Sequence, residues 1–163
     1  MAKELMPPAA ALAQLSAQPG QIATMTAGLS EQELRTPPEP GEWSCVEILG
    51  HLRACGDVWG GYIDRMLNED HPAFRYLSPR TWIRKTDYNQ QDFASSFKAF
   101  NTQRNKLLAV LTALKPQTWQ RGATVKTANR TYERTVHYYA HNLANHEGIH
   151  LPQIAKTVRA VRK

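Results

Sequence analysis

Four stretches of the chain repeat apolar residues at the three-and-four spacing of an α-helix, with proline- and turn-rich segments between them. They run from about Pro8 to Leu29, Ser44 to Asn68, Gln90 to Leu114 and Thr131 to Val161. Pro19-Gly20 interrupts the first, which predicts two short helices or one broken one. Ser30 with Glu33, and Ser44 with Glu47, have the spacing of a capping box, in which each residue's side chain satisfies a free N–H of the other. The third stretch carries Phe93, Phe97, Phe100, Leu107, Leu108 and Leu111 on one side, and Pro116 closes it. Residues 117–130 read as irregular, with a short hairpin through Ala123-Thr124-Val125. Long amphipathic helices with almost no strand pattern predict an all-α chain, a four-helix bundle over 1–163 as a single domain. The long connections after the second and third helices permit a crossover topology.

A chain of 163 residues is long enough to bury a core without disulfide or metal staples. No apolar run approaches the roughly 20 residues a bilayer span needs, so no membrane partner is expected. The N-terminus has no sustained apolar region, which argues against a signal peptide. Cys45 and Cys55, ten apart on one predicted helix, would stand about 15 Å from each other, too far for a disulfide. The cytoplasm is the expected compartment. The net charge of +6 is scattered, apart from Lys156, Arg159, Arg162 and Lys163, which complement the dipole at a helix C-terminus. No nucleic-acid motif accompanies it, so nucleic acid is not an expected partner.

Four of the six histidines lie in the last helix. By helical phase His150 falls within the apolar stripe of Val136, Tyr139, Ala140, Leu143, Ile154, Val158 and Val161, and His146 at its edge. His137 and His141 fall on the opposite side and are expected at the surface. The spacing of His146 and His150 stacks two imidazoles one turn apart, the arrangement by which a helix offers two nitrogens to one metal. The run His146-Glu-Gly-Ile-His150 is also a literal H-E-x-x-H, in which the glutamate of a zincin is the general base. Glu147 is therefore a candidate catalytic residue, and its inward phase requires a partner: an arginine, a hydroxyl or the water of a metal. Pro152 clashes with the carbonyl of Gly148 and predicts a kink beyond the second histidine. A third ligand must come from another helix. His51 lies on the flank of the stripe of Ile48, Leu52, Trp59, Ile63 and Met66. Cys55 lies nearer its centre and reads either as a rival ligand or as a small buried hydrophobe. His71, before a proline in a loop, is expected to be exposed. Trp59, Tyr62 and Tyr139 read as core or as pocket walls.

The run Gly41-Glu-Trp-Ser-Cys-Val-Glu-Ile-Leu-Gly-His51-Leu52 resembles the W-S-x-x-E-x-x-x-H-L signature of the DinB-like/YfiT-like superfamily. The run from His146 through Gln153-Ile154 resembles its C-terminal H-[DE]-x-x-H-x-x-Q-I signature. The resemblance implies a four-helix bundle with a crossed connection and a divalent metal held by His51, His146 and His150. Many members are homodimers. Characterised members are metal-dependent transferases or isomerases acting with low-molecular-weight thiols such as bacillithiol or mycothiol. Three functions are thereby set against one another. One is a thiol S-transferase joining such a thiol to a small electrophile. The second is a metal-dependent hydrolase with Glu147 as general base. The third is a non-catalytic stress or interaction protein with a structural metal. Imidazole ligands suit several transition metals, with Zn or Ni the base-rate expectation.

Overall fold

The computed structural model describes residues 4–162. Four long helices dominate it: α1 (Pro8–Thr26), α3 (Cys45–Asn68), α5 (Phe93–Thr112) and α6 (Val136–Val161). Short helices α2 (Glu31–Leu34) and α4 (Pro79–Trp82) lie in the connections. Both capping boxes form, at Ser30–Glu33 for α2 and Ser44–Glu47 for α3. None of the helices is long and apolar enough to cross a membrane, among the described residues.

Helices α1 and α3 each pack against α5 and α6, so α1 and α3 occupy opposite corners of the bundle. Consecutive long helices are therefore diagonal neighbours twice, across 27–44 and across 113–135. The crossing follows the first and third long helices, whereas the connection after the second joins adjacent ones. That corrects half of the expected pattern.

The all-α expectation also needs correction, because a small three-stranded sheet is present. Strands β1 (Ala73–Arg75), β2 (Gly122–Lys126) and β3 (Thr131–Thr135) lie in that order, β1 parallel and β3 antiparallel to β2. The expected hairpin around Ala123–Val125 is found, but it takes residues 131–135 away from the last helix. Threonine and tyrosine at 131, 132 and 135 suit a pleated surface. Thr135 then caps α6 by accepting from the Tyr138 N–H. Phe74, Ala123 and Val125 turn inward and join Tyr62, Met66 and Trp119 in the core.

Helix α1 runs unbroken through Pro19, contrary to the expected interruption. Proline at 19 leaves the Leu15 carbonyl without its helical donor. Arg104 of α5 supplies one, donating from Nη1 at 2.9 Å.

The core falls into two clusters, and the boundary between them positions the site. One holds Leu15, Cys55, Trp59, Leu111, Leu143 and Ala144; the other holds Ile22, Ile48, Leu52, Phe100 and Ile154. Along each helix the switch comes at one level, where Gln18, Arg53, Arg104 and the segment from His146 to His150 stand. A polar layer thus divides the bundle.

Candidate metal centre

The site is built on α3 and α6. Gly41, with φ +84, turns the chain ahead of Trp43, and Ser44 starts α3 as its N-cap. Two and three turns further on, the same helix face carries His51 and Cys55. His51 is 5 % exposed, deeper than its flank position implied. Its Nε2 lies 2.9 Å from His146 Nε2, which lies 3.1 Å from His150 Nε2. Cys55 Sγ stands 3.6 Å from His51 Nε2. Ligand atoms of His51, Cys55 and His146 all fall within 4.8 Å of one another. His150 closes the group from the next turn of α6, its ring 5.0 Å from that of His51.

This crowding fits a cation. Two imidazole nitrogens bound to one metal at about 2.0–2.1 Å stand roughly 3 to 3.4 Å apart. Hydrogen bonding alone satisfies the trio poorly, since a ring N–H at His146 Nε2 reaches one neighbour and not both. Gln153 Oε1 lies 2.6 Å from His150 Nδ1 and accepts its proton, leaving the Nε2 lone pair free. Replacing Gln153 by alanine is expected to weaken metal affinity about 10- to 100-fold, measured by competition with a chromophoric chelator.

The imidazoles are held neutral, the form that ligates. Burial lowers the pKa of His51 to about 4, with His150, His146 and Arg80 adding repulsion. Burial likewise lowers His146 to about 4, helped by His150 and Arg80. His150 is lowered by burial, against the pull of Gln153. Depressed histidines cost the folded state nothing above their unfolded value near 6.5 and penalise it below. Metal-free protein should therefore lose stability as pH falls from 6.5 towards 4, and His146→Gln should flatten that slope in denaturant titrations. Burial pushes the Cys55 thiol strongly upward.

Aromatic rings enclose the imidazoles. Trp43 lies 5.1 Å from the His51 ring and stacks on His150 at 6.3 Å, while Trp59 meets His146 edge-on at 5.2 Å. Trp59, Tyr62 and Tyr139 are all buried. Glu147 points inward, as its phase required, and its partner is an arginine. Arg104 donates from Nη1 to Oε2 at 2.9 Å and from Nη2 to Oε1. Both residues are nearly inaccessible, at 3 % and 1 % exposure. Burial pushes the Glu147 carboxyl up, and the guanidinium pulls it back.

The other histidines sort differently from expectation. His141 is buried and accepts from the Met6 N–H at 3.0 Å, and His137 Nε2 donates to the Met6 carbonyl at 2.7 Å. Their helix face is covered by the N-terminal segment, which has no helical period to announce it. His71 is exposed, as expected, and pairs with Glu133 at 2.9 Å. Cys45 and Cys55 are both free and buried. Sequence reasoning assigned no role to Trp43, Arg80 or Arg104. Of these, Arg104 left a signal: it is the lone charge in the α5 stripe between Phe100 and Leu107.

Among solved structures, YfiT from Bacillus subtilis, described as a probable metal-dependent hydrolase with an unusual four-helix bundle topology, is similar at a TM-score of 0.81. The alignment covers 98% of this chain and 91% of that one at 18% identity, a likeness of fold. No curated protein sequence matches significantly. The profile of the DinB superfamily matches residues 14–154, most of the length, and takes in both α3 and α6 with their histidines. The chain belongs to the DinB superfamily.

Proposed function

We propose that this protein is a divalent-metal enzyme, with His51, His146 and His150 as ligands, and that it transfers a small thiol to an electrophile. The observation that carries the reading is the meeting of three neutral imidazole nitrogens from two helices at separations near 3 Å. Three such ligands leave coordination positions open, as catalytic sites do. A divalent cation there, with Zn or Ni the expected metals, lowers the pKa of a thiol that joins it and so supplies thiolate at neutral pH.

The protein's own groups have defined parts. Gln153 orients His150, and Trp43 and Trp59 exclude water from two sides. Both carboxylate oxygens of Glu147 are engaged by Arg104, so Glu147 positions α6 against α5 and is not the base. Thiol transfer suits such a site, because it needs no carboxylate to generate the nucleophile. The thiol releases its proton to solvent, its sulfur pair forms the new C–S bond, and the leaving group departs with the pair of the bond broken. Cys55 is a fourth donor beside His51, available to the cation only as thiolate.

A second reading, hydrolysis, is favoured by the printed description of YfiT and by one residue. Glu47 lies one turn before His51 and lines the cavity that His51 also lines, so it replaces Glu147 as the candidate base. One experiment separates the readings. Metal-loaded protein is given a panel of small thiols with 1-chloro-2,4-dinitrobenzene, and separately a panel of esters and amides. Thiol conjugation that His146→Ala abolishes supports the transferase. Ester or amide turnover abolished by Glu47→Gln, with no conjugation, replaces it by the hydrolase.

A further inference from the structure

The metal reading leaves open what kind of molecule enters the site. A cavity of about 240 Å³ reaches His51 from outside, walled by Trp43, Glu47, Arg80, Arg84 and Asn89 among others. Two arginines in so small a space are unusual without counter-charges. Elsewhere on the surface some cations are paired, Arg35 with Glu31, Arg65 with Glu69 and Lys156 with Glu42. The side chains of Arg80 and Arg84 make no ion pair or hydrogen bond among the described residues. The carboxylate in the wall, Glu47, turns Oε2 to the Ser44 N–H at 2.8 Å as part of the cap.

Arg80 is also placed against the site. Its guanidinium carbon lies 5.3 Å from the Trp43 ring, whose other neighbours are the rings of His51 and His150. Two residues of the wall also hold a polar atom that is buried beneath its surface and unbonded. His51 Nδ1 and Asn89 Oδ1 are buried without a hydrogen-bond partner. Gly50 admits this approach of Asn89, because a Cβ there would collide with the amide oxygen.

We infer that the cavity is a subsite for the anionic group of a small substrate, a carboxylate held by Arg80 with Arg84 beside it. This rests on the metal reading for the role of the neighbouring histidines. An arginine fork matches a carboxylate by two parallel hydrogen bonds, and the aromatic face of Trp43 holds the fork in place. The net charge of +6 draws such a substrate in. The arginines select for charge, while the histidines face the reacting end.

The test is calorimetric, on metal-loaded protein, with benzoate and uncharged benzamide as probes. Benzoate is expected to bind the wild type at least about tenfold more tightly than benzamide, each charge-assisted contact contributing at the upper end for hydrogen bonds. Arg80→Gln should erase that preference and Arg80→Lys should restore part of it, while Arg159→Gln, at the far end of α6, leaves it unchanged. Equal benzoate affinity in wild type and Arg80→Gln, or no preference over benzamide, overturns the inference. Metal content of the same samples is read by elemental analysis. A metal-free wild type therefore sinks the metal reading separately, while a metal-loaded protein indifferent to Arg80 sinks the subsite alone.

Discussion

Replacing Arg104 by methionine is expected to destabilise the protein by about 3–5 kcal/mol, because it strands the buried Glu147 carboxylate. For a domain of this size that lowers Tm by roughly 6–20 °C, measured by calorimetry on metal-free protein. The double variant Arg104→Met, Glu147→Leu should recover most of the loss, since a buried ion pair exchanged for apolar residues of similar volume is close to neutral. Recovery should stop short of wild type. Arg104 also donates to the Leu15 carbonyl that Pro19 leaves open, and an orphaned buried carbonyl costs about 1–3 kcal/mol. Adding Pro19→Ala to the double variant returns an N–H to Leu15 and should close that gap. A double variant as unstable as the single one would show that the polar layer is held by something other than this pair.

The second large effect belongs to the histidines. His146 Nε2 stands between the other two, so His146→Ala removes the centre of the group. Wild-type protein purified without chelators is expected to hold roughly one divalent metal per chain, and the variant less than about a tenth of that. At free metal a thousandfold above Kd, binding adds about 4 kcal/mol of stability to the wild type, a Tm gain of roughly 8–16 °C that chelation reverses. The variant should gain nothing from metal. Its metal-free form should be no less stable than metal-free wild type, because crowded, desolvated imidazoles favour folding only when a cation joins them.

Much of this arrangement was legible in the sequence, and the parts that were not have physical reasons. Helical spacing placed all four long helices, and phase alone turned His146, Glu147 and His150 inward. Ser44 and Glu47 announced the start of α3, and with it the register of His51. His51 itself was undecided by periodicity, since a flank position can face solvent or a neighbouring helix. Its motif resolved what the stripe left open. The strands were half visible: β2 carries alternation, whereas β1 is three residues in a loop and depends on pairing with β2. Strand β3 was absorbed into the following helix because Tyr132 and Val136 also fit a helical period. His137 and His141 looked solvated because phase reports which side of a helix faces the bundle, and not what a terminal segment lays over the other side. Arg104 was the missed clue. A single guanidinium in the stripe that runs Phe93, Phe97, Phe100, Leu107, Leu111 demands a buried anion, and Glu147 was the inward acid in need of a cation.

The pairing also bears on the H-E-x-x-H pattern. In that pattern the glutamate is read as a base because it adjoins two ligands. In this bundle the residue after His146 projects across the core towards α5, where a carboxylate is tolerable only if it is paired. Its consequence for the site is rigidity: the turn bearing His146 and His150 is tied through Arg104 to α5 and to α1.

The most direct test is the X-ray absorption spectrum of the metal-loaded protein at the edge of the metal it carries. Three imidazole nitrogens at about 2.0–2.1 Å, reduced to two in His150→Ala, are the predicted result. A shell dominated by sulfur at about 2.3 Å and unchanged by His150→Ala would instead place Cys55 in the ligand set and His150 outside it, contradicting the three-histidine centre.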